Sequence, residues 1–101
     1  MNFKNFTPHV INMNDGQSFV SEGLARVSAS FTTFNNDNIC RQSFGEVEGL
    51  PEPQKDVMLI VSGMVLGASD RSDLVAPATG HKDTRRNAKG HIVSVPGFVR
   101  K

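Results

Sequence analysis

The chain has 101 residues, 38% hydrophobic and 21% charged, with seven Phe and no Trp or Tyr. Those proportions exclude a disordered or low-complexity polymer, and the length suits one domain, residues 1–101, with a modest core. The formal charge of +1 argues against general DNA binding, which calls for a far more basic surface.

Charge is unevenly spread. Residues 1–70 carry four basic against eight acidic side chains, a net −4, and residues 71–101 carry seven against two, a net +5. Such polarity can present a positive surface locally. No apolar run approaches the roughly 18 residues of a membrane span. The start MNFKNFTPHV has no apolar signal core, so a cytoplasmic protein without membrane partners is expected. Cys40 is the lone cysteine, which rules out an internal disulfide and favours a packing role.

Along the chain, Thr7–Met13 reads as a first strand with Pro8 at its start, because proline has no N–H for a ladder. Asn14-Asp15-Gly16 signals a hairpin, with Gln17–Val20 returning. Leu24–Phe34 is rich in β-formers and pairs with Ile39–Val47 across the polar turn Asn35–Asn38, with Gly45 a possible bulge. Pro51-Glu52-Pro53 is a stiff connector unfit for a central ladder.

Val57-Met58-Leu59-Ile60-Val61 is the best candidate for a strand buried on both faces. Ser62 then caps one or two helical turns, weakened by Gly63 and Gly67. Leu74–Ala76 reads as a short strand, Pro77–Gly90 as a loop and His91–Val95 as a closing strand. The expected fold is α+β: a mainly antiparallel twisted sheet with one short helix after the buried strand.

That order places the ligand chemistry. A capped helix after a buried strand offers free N–H groups to phosphate or carboxylate. Arg71 can fork onto one phosphate, and Asp73 can pair with it or accept from a ribose hydroxyl. Thr79-Gly80-His81-Lys82 adds a hydroxyl, an open backbone and a cation, and Arg85 and Arg86 can close over an anion. No named phosphate loop or dinucleotide motif is present, and no cofactor is expected. His9, His81 and His91 lack metal-ligand spacing, and no nucleophile elbow occurs, so an enzyme is not expected. Six of the seven Phe lie in the acidic half, away from the cations that a single-strand nucleic-acid platform would interleave with them.

Thr7-Pro8-His9, Phe44-Gly45-Glu46-Val47-Glu48-Gly49-Leu50-Pro51-Glu52-Pro53, Ile60-Val61-Ser62 and Arg71-Ser72-Asp73-Leu74-Val75-Ala76-Pro77-Ala78-Thr79-Gly80, in this order and spacing, resemble a family of small proteins encoded by bacteriophages and other mobile elements of bacteria. Gly63 and Gly67 depart from its pattern, where longer helix formers stand. The resemblance implies a counter-defence factor in the host bacterial cytoplasm. Two mechanisms follow for that class: sequestration of a nucleotide immune signal, of the cyclic oligonucleotide or cyclic ADP-ribose type, without turnover; or blockade of a bacterial defence protein by direct binding. The polar positions it carries over are Thr7, His9, Ser62, Arg71, Asp73, Thr79, Arg85 and Arg86. A chain this small has little room for a deep pocket, so a ligand site shared between copies of a homo-oligomer is expected.

Overall fold

The computed structural model describes residues 1–101. Its centre is the apolar run. β6 (Val57–Ile60) lies between β1 (Asn2–Asn5) and β7 (Leu74–Pro77), and β10 (Phe98–Val99) completes a four-stranded sheet in the order β1-β6-β7-β10. Both inner pairings, β1 with β6 and β6 with β7, are parallel, and β10 is antiparallel to β7. A parallel strand covered on both sides has no polar face to show. Side-chain alternation along β6 and β7 therefore feeds two cores. Leu59, Val61, Leu74 and Ala76 pack on one side with Ala25, Val65 and Leu66; Ile60 and Val75 pack on the other with Ile11 and Val95.

The helix α1 (Gly63–Ala68) follows β6 directly, and Ser62 caps it, its Oγ accepting from the Val65 N–H at 3.3 Å. Val65 and Leu66 are the residues it buries. The opposite core is edged by three rings: Phe3 stands 4.9 Å from Phe98 and 5.9 Å from Phe19 between centroids. Such tilted and edge-on pairs add about 0.5–1.5 kcal/mol each beyond their buried area.

Three two-stranded ribbons surround the sheet. β2 (Ile11–Asn12) and β3 (Ser18–Phe19) form the Asp15-Gly16 hairpin, with Gly16 at φ +96°. β4 (Arg26–Phe31) pairs antiparallel with β5 (Gln42–Glu48), and the register slips between Val27 and Ala29. Val27 opposes Val47 while Ala29 opposes Phe44, so the extra residue lies on β5, at Gly45-Glu46. β8 (Arg85–Arg86) pairs with β9 (Ile92–Ser94). Four of the six pairings are antiparallel, in a strand-rich chain with one short helix.

Several expectations change. The strand expected over Thr7–Met13 shrinks to Ile11–Asn12, because Thr7 and His9 are drawn into a side-chain network around Asn5 instead of a ladder. The first strand is Asn2–Asn5, polar at three of its four positions with Phe3 its one β-former, so its sequence does not announce it. Two residues of the expected Pro77–Gly90 loop pair as β8, and the main sheet's inner pairings are parallel, which hairpin signals cannot foretell.

Candidate functional site

A cleft of about 720 Å³ opens between β2, the start of α1, β9 and the loop that leaves β7. Its walls are mostly aliphatic: Ile11, Leu66, Ala76 and Val95 come from the two cores, and Val10 and Val93 lie nearer solvent. Polar groups enter from three places. Thr7 and His9 come from the segment after β1, Ser62 and Gly63 from the start of α1, and Thr79, Gly80 and His81 from the loop after β7.

Asn5 sets the first of these. Its side chain is fully buried, at 0% exposure, and uses every hydrogen-bonding position it has. Nδ2 donates to the His9 carbonyl at 2.7 Å and the Phe19 carbonyl at 2.9 Å. Oδ1 accepts from the Thr7 N–H at 2.9 Å and the Thr7 hydroxyl at 2.6 Å. The 6–9 segment is thereby pinned to β1 and β3 without a ladder of its own. The Thr7 hydroxyl spends its proton on Asn5, so toward the cleft it can only accept.

The loop after β7 is held as firmly. The Ala78 N–H donates to the Gly97 carbonyl, the His81 N–H to Ala78, and the Thr84 hydroxyl to Ala78 as well. Arg86 spans the loop, donating from Nη1 to the Gly90 carbonyl at 3.0 Å and from Nη2 to the Thr79 carbonyl at 3.2 Å. His81 Nδ1 accepts from the Asp83 N–H at 3.0 Å. In the neutral ring that acceptor role leaves the proton on Nε2, which is free to donate. Asn14 joins the walls, donating to the Asp83 carbonyl at 2.9 Å and accepting from the Ser94 hydroxyl.

Four of the eight residues singled out from the sequence, Thr7, His9, Ser62 and Thr79, therefore line one cleft. Arg86 is bonded to its lip, and Arg85 sits in β8 opposite Ser94, a lining residue. Arg71 and Asp73 are not brought there. Arg71 donates from Nε and Nη2 to the two carboxylate oxygens of Asp73, at 2.9 and 2.7 Å, and from Nη2 to the Pro51 carbonyl at 3.0 Å. The hydrogen bond to Asp73 raises the Arg71 pKa above its ordinary value, so the guanidinium is always charged. The pair clasps the 49–56 connector to the exit of α1, and Arg71 borders a separate hollow beside Arg100 and Lys101.

Gly80, His81 and Asn5 belong to the site's construction as well. Gly80 and His81 belong to the Thr79–Lys82 stretch that the sequence marks for ligand contact, whereas Asn5 leaves no sign in a hydrophobicity pattern, because its role comes from side-chain hydrogen bonds to Thr7, His9 and Phe19. The lining contains no carboxylate, thiol, Lys or Arg; its titratable side chains are His9 and His81. No three His, Cys, Asp or Glu side chains gather as a metal-ligand group, and no helix is long and apolar enough to cross a membrane. Comparison with protein-family models, curated proteins and solved structures found no match to this chain.

Proposed function

We propose that the protein binds a small phosphorylated nucleotide in this cleft and holds it without turnover, acting as a phage counter-defence protein that sequesters an immune signal of the cyclic oligonucleotide or cyclic ADP-ribose type. The observation that carries the reading is the convergence of Thr7, His9, Ser62 and Thr79 on one cleft with aliphatic walls. Its volume lies within the ~300–1,000 Å³ of small-molecule sites, where apolar walls bury a ring system and a few polar groups orient it.

The chemistry divides accordingly. The aliphatic walls take the base. The hydroxyl of Ser62 has its proton free, since its oxygen accepts from Val65, and it donates to the ligand together with His81 Nε2. The Thr79 hydroxyl and the Gly80 N–H have no partner within the chain and serve phosphate or ribose oxygens. Arg86 keeps positive charge at the lip while tied to Thr79, and exposed Arg85 supplies a second guanidinium. Neither the His9 nor the His81 imidazole is hydrogen-bonded to a lining hydroxyl, the one ring contact being His81 Nδ1 with the Asp83 N–H, so the contact between nucleophile and base that bond cleavage uses is not assembled, which favours retention.

Thermal unfolding against a panel of cyclic oligonucleotides and ADP-ribose derivatives tests this. A ligand at ~100 times its dissociation constant stabilises the fold by about 2.7 kcal/mol, about 10–20 °C in melting temperature for a chain this size. Ser62→Ala and Thr79→Val should abolish the shift, and heat-denatured complex should release the ligand chemically intact. A panel without any shift defeats the reading and turns attention to direct blockade of a defence protein. Release of an altered ligand would make the protein an enzyme.

A further inference from the structure

The cleft lies where the connections of the sheet part company. β1, β6 and β7 run parallel, so their carboxyl ends open on the same side. The chain leaving β6 goes to one face of the sheet, where Val65 and Leu66 of α1 pack with Leu59 and Leu74. The chains leaving β1 and β7 return on the other face, through Ile11 and Val95, which pack with Ile60 and Val75. Connections that diverge in this way leave a crevice outside the strand ends, and open sheets with parallel strands bind their ligands there. Residues that follow all three strands line this one: Thr7, Ser62 and Thr79.

The hydrogen-bonding sense changes across the crevice. The Thr7 hydroxyl has one proton and two acceptors for it inside the chain, Asn5 Oδ1 at 2.6 Å and the His9 carbonyl at 3.1 Å. Only lone pairs remain for the cleft, so a partner there must bring its own proton, which a phosphodiester does not have. Thr7 is 8% exposed, and little water competes for that position. The Ser62 oxygen accepts from the Val65 N–H, and its proton is free. These two side chains start level with each other. Asn5 pairs with Ile60 in the β1–β6 register, and two residues on from each stand Thr7 and Ser62. Adjacent strands lie about 4.8 Å apart, a gap that one hydroxyl oxygen bridges at about 2.7 Å from each neighbour.

We infer that Thr7 and Ser62 recognise a ribose 2′-hydroxyl, which donates to Thr7 Oγ1 and accepts from the Ser62 hydroxyl. Of the sugar hydroxyls it is the one that a 3′,5′-linked ring leaves free, and it is both donor and acceptor. The phosphate lies toward the end of β7, where the Gly80 N–H and His81 Nε2 donate. Selectivity follows from the same two bonds. A deoxy ligand leaves the Thr7 lone pairs and the Ser62 proton without a partner, and a site built around a substrate hydroxyl rejects the analogue that lacks it. Ribose selection rests on the cleft's holding a nucleotide, and it narrows that ligand to ribonucleotides.

The test compares ribose and 2′-deoxyribose forms of the same probes, cyclic diadenylate, cyclic diguanylate and cyclic ADP-ribose, by titration calorimetry on the intact protein. For each ribose form that binds, the deoxy form should bind more weakly by about tenfold or more. Thr7→Ser keeps the oxygen and should keep that ratio; Thr7→Val keeps the shape and should bring the ratio near one. Thr7→Val also takes a partner from Asn5, so its fold is checked by circular dichroism, and the wild-type ratio decides without it. Deoxy forms that bind wild type as tightly as the ribose forms, or a ratio that survives in folded Thr7→Val, would overturn ribose selection and leave nucleotide binding in place. Failure of every probe to bind would defeat the nucleotide reading, and ribose selection with it.

Discussion

Replacing Asn5 by Ala should be among the most damaging single changes in the molecule, although it removes only a small polar side chain. The amide, itself fully buried, closes four hydrogen bonds, and truncation strands the groups it served: the Phe19 carbonyl, the His9 carbonyl, the Thr7 N–H and the Thr7 hydroxyl. The hydroxyl can turn to the His9 carbonyl, 3.1 Å away, so those two rescue each other. That leaves the Thr7 N–H and the Phe19 carbonyl, at about 1–3 kcal/mol for each buried group left unsatisfied. The sum is about 2–6 kcal/mol, a large part of the 5–15 kcal/mol a small domain has in total. With about 4–8 °C lost per kcal/mol at this size, the melting temperature should fall by at least about 10 °C and by as much as about 40 °C. Urea unfolding followed by circular dichroism measures the change directly. Asn5→Asp should be comparably harmful, since its second oxygen faces two carbonyls where Nδ2 donated. A loss below about 1 kcal/mol for Asn5→Ala would refute the view that the 6–9 segment is held by this one side chain.

Gly49 has φ +91°, and an added Cβ would collide with the Leu24 carbonyl oxygen; Gly49→Ala should cost roughly 3 kcal/mol or more by the same unfolding assay. Arg71→Ala should cost about 1–3 kcal/mol by stranding a half-buried carboxylate, while the ligand-induced thermal shift of the intact cleft is retained; loss of binding with unchanged stability would return Arg71 to the ligand site. Asp15 accepts from the backbone and then the side chain of Gln17, which lowers its pKa below the usual 3.8. A depressed folded-state value stabilises the hairpin above the unfolded pKa, and the contribution disappears as pH falls through the lowered one. Asp15→Ala should therefore melt below wild type at neutral pH, and the gap should close once melts are run well under pH 3.8.

Local signals served where the cause was local. The apolar run 57–61, the Ser62 cap, the Asp15-Gly16 turn and the Asn35–Asn38 turn all arise from side chains acting on their own backbone, and each stands where its residues put it. Asn38 even adopts the left-handed conformation, φ 63°, that such a turn requires. Strand partners were another matter. Nothing within Asn2–Asn5 specifies Val57–Ile60 as its neighbour, since that choice depends on which faces are left after β6 and β7 have packed. The polar residues divide in the same way. Ser62, Thr79 and His9 flank turns and caps that a sequence makes visible. Arg71 and Asp73 have the right groups for an anion, but at a separation of two residues they satisfy each other first. Asn5 was silent because a buried amide is defined by what surrounds it.

The parallel pairing of β1 with β6 also bears on how the chain reaches its fold. Asn2 must wait for Val57 and Asn5 for Ile60, whereas the β2–β3 and β4–β5 hairpins close between near neighbours and can zip within microseconds. Bringing two distant segments together costs loop entropy before any contact compensates for it, so such pairings form late and slow the whole reaction. Until then the Asn5 amide, whose partners Thr7, His9 and Phe19 are all near it in sequence, has no β6 to pack against, and the cleft lacks the walls that α1 and the loop after β7 supply. The cleft is thus assembled in the final, non-local step, and refolding watched by ligand binding should lag behind refolding watched by hairpin signals.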